Sequence, residues 1–143
     1  MQVRQIAIFL ENRSGRLADI THTLAKNDIN IRALSLADTA DFGILRMVVS
    51  DTDKAAKALK EDGFTVGVTE VTAVEVPDQP GSLNAILQVV NRAKLNVEYM
   101  YAFTQQSGDT GLLLFRFDDP EAALRAFREA GCKLLSDEEV HRL

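Results

Sequence analysis

The chain has 143 residues, 46% apolar and 26% charged, the balance of a globular fold with room for one ordinary domain or two very small ones. Its net charge of −5 argues against general binding to nucleic acid or to an anionic membrane, because neither is attracted to an acidic surface. One cysteine, Cys132, excludes an internal disulfide and a thiolate metal site, and no run nears the roughly 18 consecutive apolar residues of a membrane span.

In chain order, the opening MQVRQIAIFLENRSG has a short alternating apolar stretch followed by charge. It reads as a strand over Val3 to Leu10 and not as a secretion signal, so a cytoplasmic location is the expectation. A glycine-containing turn leads to a helix over Arg16 to Lys26, with Leu17, Ile20 and Leu24 at helical spacing and Asn27-Asp28 as its stop. A strand follows at Ile29 to Leu36, a polar turn at Asp38 to Phe42, and a third strand at Gly43 to Val49. Asp53 to Asp62 reads as a helix closed by Gly63, and Phe64 to Val68 as a strand. The order then starts again. Val71 to Val76 is a strand, Ser82 to Ala93 a helix carrying Leu83, Ile86 and Val90, and Lys94 leads out of it. Leu95 to Phe103 is a strand with Leu95, Val97, Tyr99, Tyr101 and Phe103 expected on one face. A polar turn at Gln105 to Thr110 precedes a strand at Gly111 to Phe117. Asp118-Asp119-Pro120 starts a helix as an N-cap followed by proline, Gly131 ends it, and Cys132 to Leu135 is the last strand.

A shift of 66 residues superposes the halves: Glu11-Asn12-Arg13-Ser14-Gly15-Arg16-Leu17 falls on Pro77-Asp78-Gln79-Pro80-Gly81-Ser82-Leu83. Ile29-Asn30-Ile31 falls on Leu95-Asn96-Val97, and after a two-residue insertion near Gly108, Gly63-Phe64 falls on Gly131-Cys132. The pattern is βαββαβ twice, in modules 1–69 and 70–143. The fold class is α+β, ferredoxin-like, with a side-by-side eight-stranded antiparallel sheet and helices on one face. The strands Ile44 to Val49 and Leu112 to Phe115 are apolar on both faces. The face away from the helices therefore needs a cover, for which a second chain is the obvious candidate.

The functional signal lies at the first turn of each half. Gly81 lets backbone approach a ligand, and the free N–H groups opening the next helix suit a carboxylate. Asp78 suits an ammonium, and the Asn96 amide both donates and accepts, so the group fits a zwitterionic amino acid. The same residues also fit a plain turn into a helix, and Asn30 and Asn96 also fit the left-handed backbone that follows a helix.

Asp-x-Pro-Gly-x-Leu at this turn, with asparagine at the start of the second strand, resembles the ACT domain family over nearly the whole chain. The second half carries it through Asp78, Pro80, Gly81, Leu83 and Asn96. In the first half Asn12, Ser14, Gly15, Leu17 and Asn30 stand at the matching places, Asn12 for the acid and Ser14 for the proline, with Arg13 and Arg16 adding positive charge. The resemblance implies a regulatory module pair that binds a small molecule, an amino acid above all, and modulates amino-acid metabolism. Its ligands would be held by the first turn of one module and the second strand of its neighbour. The implied ligand residues are Asn12, Arg13, Ser14, Gly15, Arg16, Leu17, Asn30 and Ile31 in the first half, and Asp78, Gln79, Pro80, Gly81, Ser82, Leu83, Asn96 and Val97 in the second. A homodimer and a regulated enzyme are the implied partners. No catalytic domain, cofactor or metal is expected.

Other residues read more simply. Tyr99, Tyr101 and Phe103 fit a pocket for an aromatic ligand but better an interface, Arg13 and Arg16 fit an anion but better solvent or nearby acids, and Cys132 suits a small buried apolar site. His22 is expected to face solvent and His141 to lie in a polar tail, neither with a nucleophile constellation. Ser136 to Glu139 suits a solvated end. An RNA-recognition module shares the topology, but its Lys/Arg-Gly-aromatic signature is missing. An acylphosphatase-like hydrolase would use Arg13 or Arg16 with Asn30, but Asp78 in the second half would repel phosphate. A scaffold with empty sites is the remaining rival.

Overall fold

The computed structural model describes residues 2–38, 40–103 and 108–143. The expected turns at Asp38 to Phe42 and Gln105 to Thr110 therefore lie partly outside the described residues. The chain divides into two compact units, residues 4–69 and residues 70–141.

The first unit contains β1 (Val3–Glu11), α1 (Arg16–Lys26), β2 (Ile31–Asp38), β3 (Phe42–Val49), α2 (Thr52–Glu61) and the opening residues of β4 (Thr65–Pro77). β3 pairs antiparallel with β1 on one side and with β2 on the other. The Gln5 Nε2 donates to Thr69 Oγ1 at 2.9 Å, fixing the start of β4 beside β1. Alternation along the strands sorts the faces. Ile6 opposite Met47, and Ile8 opposite Leu45, point to the helices and meet Ile20, Leu24 and Leu59 in the core. Asp51 caps α2 by accepting from the Lys54 N–H at 3.1 Å, so this helix begins just before the expected Asp53. The Thr23 hydroxyl donates to Asp62 at 2.6 Å and Lys26 pairs with the same carboxylate at 3.2 Å, tying the end of α1 to the end of α2.

The second unit contains the rest of β4, then α3 (Ser82–Arg92), β5 (Val97–Ala102), β6 (Thr110–Phe117), α4 (Pro120–Glu129), β7 (Lys133–Leu135) and α5 (Asp137–His141). Its strand order is β5-β6-β4-β7, antiparallel throughout. Val74, Val76, Ile86, Val90, Phe115, Phe117 and Phe127 make its core, with Phe115 and Phe117 stacked at 5.3 Å between ring centroids. Asp119 accepts from the Ala122 N–H at 3.1 Å with Pro120 in the first helical turn, as the sequence dictates.

Four expectations are corrected. The eight expected strands are seven among the described residues, because the expected strands Phe64 to Val68, from Thr65 onward, and Val71 to Val76 belong to one 13-residue strand, β4. The single face of Leu95, Val97, Tyr99, Tyr101 and Phe103 is broken by a bulge between Val97 and Tyr99. Val97 and Met100 therefore pack into the core, while Tyr99 and Tyr101 pair with Arg116 and Leu114 on the other face. A bulge between Ile31 and Ala33 does the same in the first unit. Ser136 to Glu139 is not a loose end but the start of α5. Ser136 Oγ accepts from the Glu139 N–H, and Glu139 Oε2 from the Ser136 N–H, each at 3.2 Å, a reciprocal capping box. Finally, part of the second face is covered from within the chain. Val140 of α5 is fully buried, and Leu143 closes a small space with Leu112, Leu135 and Glu75 on the face away from α3 and α4.

Candidate turn site in the second unit

β4 ends at Pro77, and the chain must reverse into α3 within four residues. The Asp78 N–H donates to the Asp109 carbonyl at 2.7 Å, the Gln79 N–H to the Pro77 carbonyl at 3.0 Å, and the Ser82 N–H to the Gln79 carbonyl at 3.3 Å. Gly81 caps α3 at φ +90° with no side-chain cap, a conformation that L side chains rarely adopt. A Cβ there would meet no protein atom within 4 Å, so what requires glycine within the chain is the left-handed backbone of the turn.

This turn borders a cavity of about 720 Å³. Asp78, Gln79, Ser82 and Thr110 are in its polar lining, and Leu83 and Phe103 are in its apolar lining. The volume falls within the usual range of small-molecule sites, about 300–1,000 Å³. Register explains the assembly: Pro77 lies opposite Thr110 and Val76 opposite Gly111, so the end of β4 and the start of β6 flank the turn. The Thr110 hydroxyl donates to Glu75 Oε1 at 3.1 Å, and Glu75 also pairs with Lys133. The Lys133 ammonium beside Glu75, with the Thr110 hydroxyl, holds its carboxyl below the usual range. Thr110 and Gly111 were not among the expected ligand residues, and Phe103 was expected at an interface. The pairing of the third strand with both the first and the second in a βαββαβ sheet was the signal that would have found them.

The first unit repeats the backbone of this turn. The Asn12 N–H donates to the Asp41 carbonyl at 2.9 Å, the Arg13 N–H to the Glu11 carbonyl at 2.9 Å, and the Arg16 N–H to the Arg13 carbonyl at 3.4 Å. Gly15 caps α1 at φ +89°. The side chains differ. The Asn12 amide donates to the Ala40 carbonyl at 3.3 Å, Arg13 pairs with Glu11 at 3.2 Å, and Arg16 lies over the Phe64 ring at 4.6 Å while reaching Asp19 at 3.5 Å. Arg16 lines a 270 Å³ hollow with Asp19, His22, Thr23, Asp62 and Phe64. Asn12, Arg13, Ser14, Gly15 and Leu17 line none of the five cavities described.

Neither asparagine joins the turn of its own unit. The Asn96 N–H donates to Asp118 Oδ1 at 3.0 Å and its carbonyl accepts from the Asp118 N–H at 3.2 Å. Asn30 and Ser50 exchange the corresponding pair, each at 2.9 Å. Val97 lies opposite Phe117, whereas Ala102 at the other end of β5 lies opposite Leu113 and borders the turn cavity. About 20 Å of strand separates Asn96 from the turn. Ile31 and Val97 pack against their cores. The left-handed residues after the helices are Asp28 and Lys94, not the asparagines. His22 is exposed, and His141 is held by Asp137 at 2.8 Å. Cys132 is partly buried, and burial pushes its thiol pKa up. Among the described residues no group of three or more His, Cys, Asp or Glu could hold a metal ion, and no helix is long and apolar enough to cross a membrane.

The family described as the ACT domain pair matches residues 1–143. The chain belongs to the ACT domain pair family. As an ACT pair it is similar over its whole length to the crystal structure of protein BT0572 from Bacteroides thetaiotaomicron, with 38% identity, a TM-score of 0.93, and 100% of this chain and 98% of that one covered. It shares its fold with the ligand-free regulatory subunit of aspartate kinase from Thermus thermophilus, at 20% identity and a TM-score of 0.61 over 89% of this chain and 91% of that one. The regulatory subunit of aspartate kinase from Thermus flavus gives 19% identity and a TM-score of 0.60, covering 90% and 92%. No relative among the curated proteins matches the chain.

Proposed function

We propose that this ACT pair is an amino-acid-binding regulator whose ligand sits in the cavity at the Pro77–Leu83 turn. The single observation that carries this reading is the cavity itself. It is large enough for an amino acid, and its lining combines polar groups with apolar ones. Asp78 accepts from the ligand ammonium, the N–H groups of the first turn of α3 beyond Ser82 face its carboxylate, and Leu83 and Phe103 pack on its side chain. The partners in this reading are a second copy of the chain and an enzyme of amino-acid metabolism, with regulation following from ligand-dependent population shift. The resemblance to aspartate kinase regulatory subunits supports the regulatory class and leaves the ligand to experiment.

A thermal-unfolding screen over the amino acids tests it. A ligand at a hundredfold excess over its Kd adds about 2.7 kcal/mol, which raises the midpoint by roughly 5–10 °C. Asp78→Ala removes the ammonium partner and weakens that ligand roughly tenfold to a hundredfold. No midpoint shift with any amino acid would favour a scaffold, the reading that the self-satisfied first turn suits.

A further inference from the structure

The turn cavity of the second unit has an apolar floor. Val76, Ala102, Gly111 and Leu113 form it, and Leu83 of α3 borders it. Val76 belongs to the core beneath the helices, and Leu113 packs against that core. Register sets Val76 opposite Gly111 and Ala102 opposite Leu113. Residues directly opposite in an antiparallel pair share a face, so Ala102 and the missing side chain of Gly111 both lie on the helix side of the sheet. A Cβ built on Gly111 would meet no atom of the described residues within 4 Å.

The first unit has the same register with larger side chains. Leu10 lies opposite Gly43 and Leu36 opposite Leu45, so Leu10 stands for Val76, Leu36 for Ala102, Gly43 for Gly111 and Leu45 for Leu113. Here a Cβ on Gly43 would touch Leu36 Cδ1 at 3.5 Å and Leu10 Cδ2 at 3.6 Å, the contact distance of packed carbons. Leu36 is 50% exposed, so it lies over Gly43 with its other side in solvent. Leu10, Leu36, Gly43 and Leu45 line none of the five cavities described. The place over the glycine is thus occupied by the chain's own leucine in one unit and open in the other, and Leu36 against Ala102 is the main difference.

We infer that the place over Gly111 and beside Ala102 is the side-chain subsite of the turn cavity, and that it takes an aliphatic group of leucine's size. The inference rests on the reading of that cavity as an amino-acid site and adds the residues that decide which amino acid enters. Leu36 shows what the scaffold accepts here: an isobutyl group lying over a glycine. A ligand side chain of that size repeats the contact over Gly111, against Val76, Ala102 and Leu113. The floor carries no polar side chain, so a charged ligand side chain there would lose its hydration and gain no partner. Ala102 sets the size of the subsite, because a larger residue puts the chain's own carbons where the ligand's would lie, as Leu36 does.

The whole chain is titrated calorimetrically with glycine, L-alanine, L-2-aminobutyrate, L-norvaline and L-leucine, and with L-lysine as the charged comparison. Each added carbon, buried in part as Leu36 is, tightens binding about twofold to fourfold, so leucine binds roughly tenfold to sixtyfold tighter than alanine. Ala102 is exposed, so Ala102→Leu is compatible with the fold. It brings leucine down to the affinity of alanine and leaves glycine and alanine within about twofold. Ala102→Val, smaller and suited to a strand, does the same to a lesser degree and gives the result if the leucine variant is unstable. Ala102→Ser leaves the space open and keeps leucine ahead of alanine, whereas Asp78→Ala weakens the whole series together. Equal affinity of alanine and leucine for the wild-type chain, or lysine binding as tightly as leucine, overturns the inference and leaves the amino-acid reading standing. So does an Ala102→Leu chain that still prefers leucine or that weakens the whole series alike. Binding of none of the six overturns the inference, and a thermal screen silent for every amino acid removes the reading with it.

Discussion

The two turns of this ACT pair share a backbone and differ in what their side chains do with it. Both exchange the same ladder of hydrogen bonds, both cap a helix with a left-handed glycine, and both feed a helix that packs on a four-strand unit. In the first, Asn12, Arg13 and Arg16 are engaged with Ala40, Glu11, Asp19 and Phe64. In the second, Asp78, Gln79 and Ser82 border open space on one flank, and Gln79 and Ser82 do so on the other. The backbone of a turn is thus a scaffold that a repeat copies faithfully, while a few side chains decide whether it is a structural joint or a site. The sheet faces repeat the lesson. Phe9 and Phe42 of the first unit are 53% and 59% exposed on the face away from α1 and α2, whereas the matching Glu75 and Thr110 of the second form a hydrogen-bonded pair near Leu143.

The sharpest test of equivalence is in the cores. Leu59 and Phe127 are fully buried at matching places on α2 and α4. Phe127→Ala breaks a trio of rings and is expected to cost about 3–5 kcal/mol, against about 2–5 kcal/mol for Leu59→Ala. Urea unfolding followed by circular dichroism measures both. Next come the glycines. Gly15→Ala and Gly81→Ala each place a Cβ in open space but at a left-handed φ, so each costs about 1–2 kcal/mol. A large difference between the two would show that the turns are not backbone equivalents. Smaller still, Arg16→Ala removes the guanidinium from Phe64 and costs about 0.5–1 kcal/mol, while Ser82→Ala stays within about 0.5 kcal/mol.

The least of these effects is electrostatic. Glu75 is held below its ordinary range by Lys133 and Thr110, and Asp62 by Thr23 and Lys26. A carboxyl with a depressed folded pKa adds stability that is in place above its unfolded value and is lost as pH falls through the folded one. Stability therefore falls on acidification below the ordinary carboxylate range. Glu75→Gln flattens that acid limb without changing the slope at neutral pH, as read from urea midpoints across pH.

Element order was legible because helical and strand periods alternate cleanly, and because Gly15, Gly81 and Asp119-Pro120 mark their turns by chain chemistry. The merging of two expected strands into β4 was not legible, since Thr69 and Glu70 interrupt the apolar pattern without interrupting the backbone. The bulge after Val97 was invisible for a similar reason: an inserted residue flips the alternation, and Glu98 looks like any outward-facing residue. The turn itself was legible down to Asp78, Gln79, Ser82 and Leu83, but Phe103 and Thr110 reach it through sheet register, which local patterns do not encode. Asn96 holds its place in the repeat and stands at the far end of β5 from the turn of its own unit, an arrangement that local patterns do not encode.

The most direct measurement is calorimetric titration of the amino acid selected by the thermal screen against the wild-type chain, Asn12→Ala and Asp78→Ala. The account predicts that Asn12→Ala binds like the wild type and that Asp78→Ala loses roughly tenfold or more in affinity. Affinity lost with Asn12→Ala and kept with Asp78→Ala would place the working site in the first turn and contradict it.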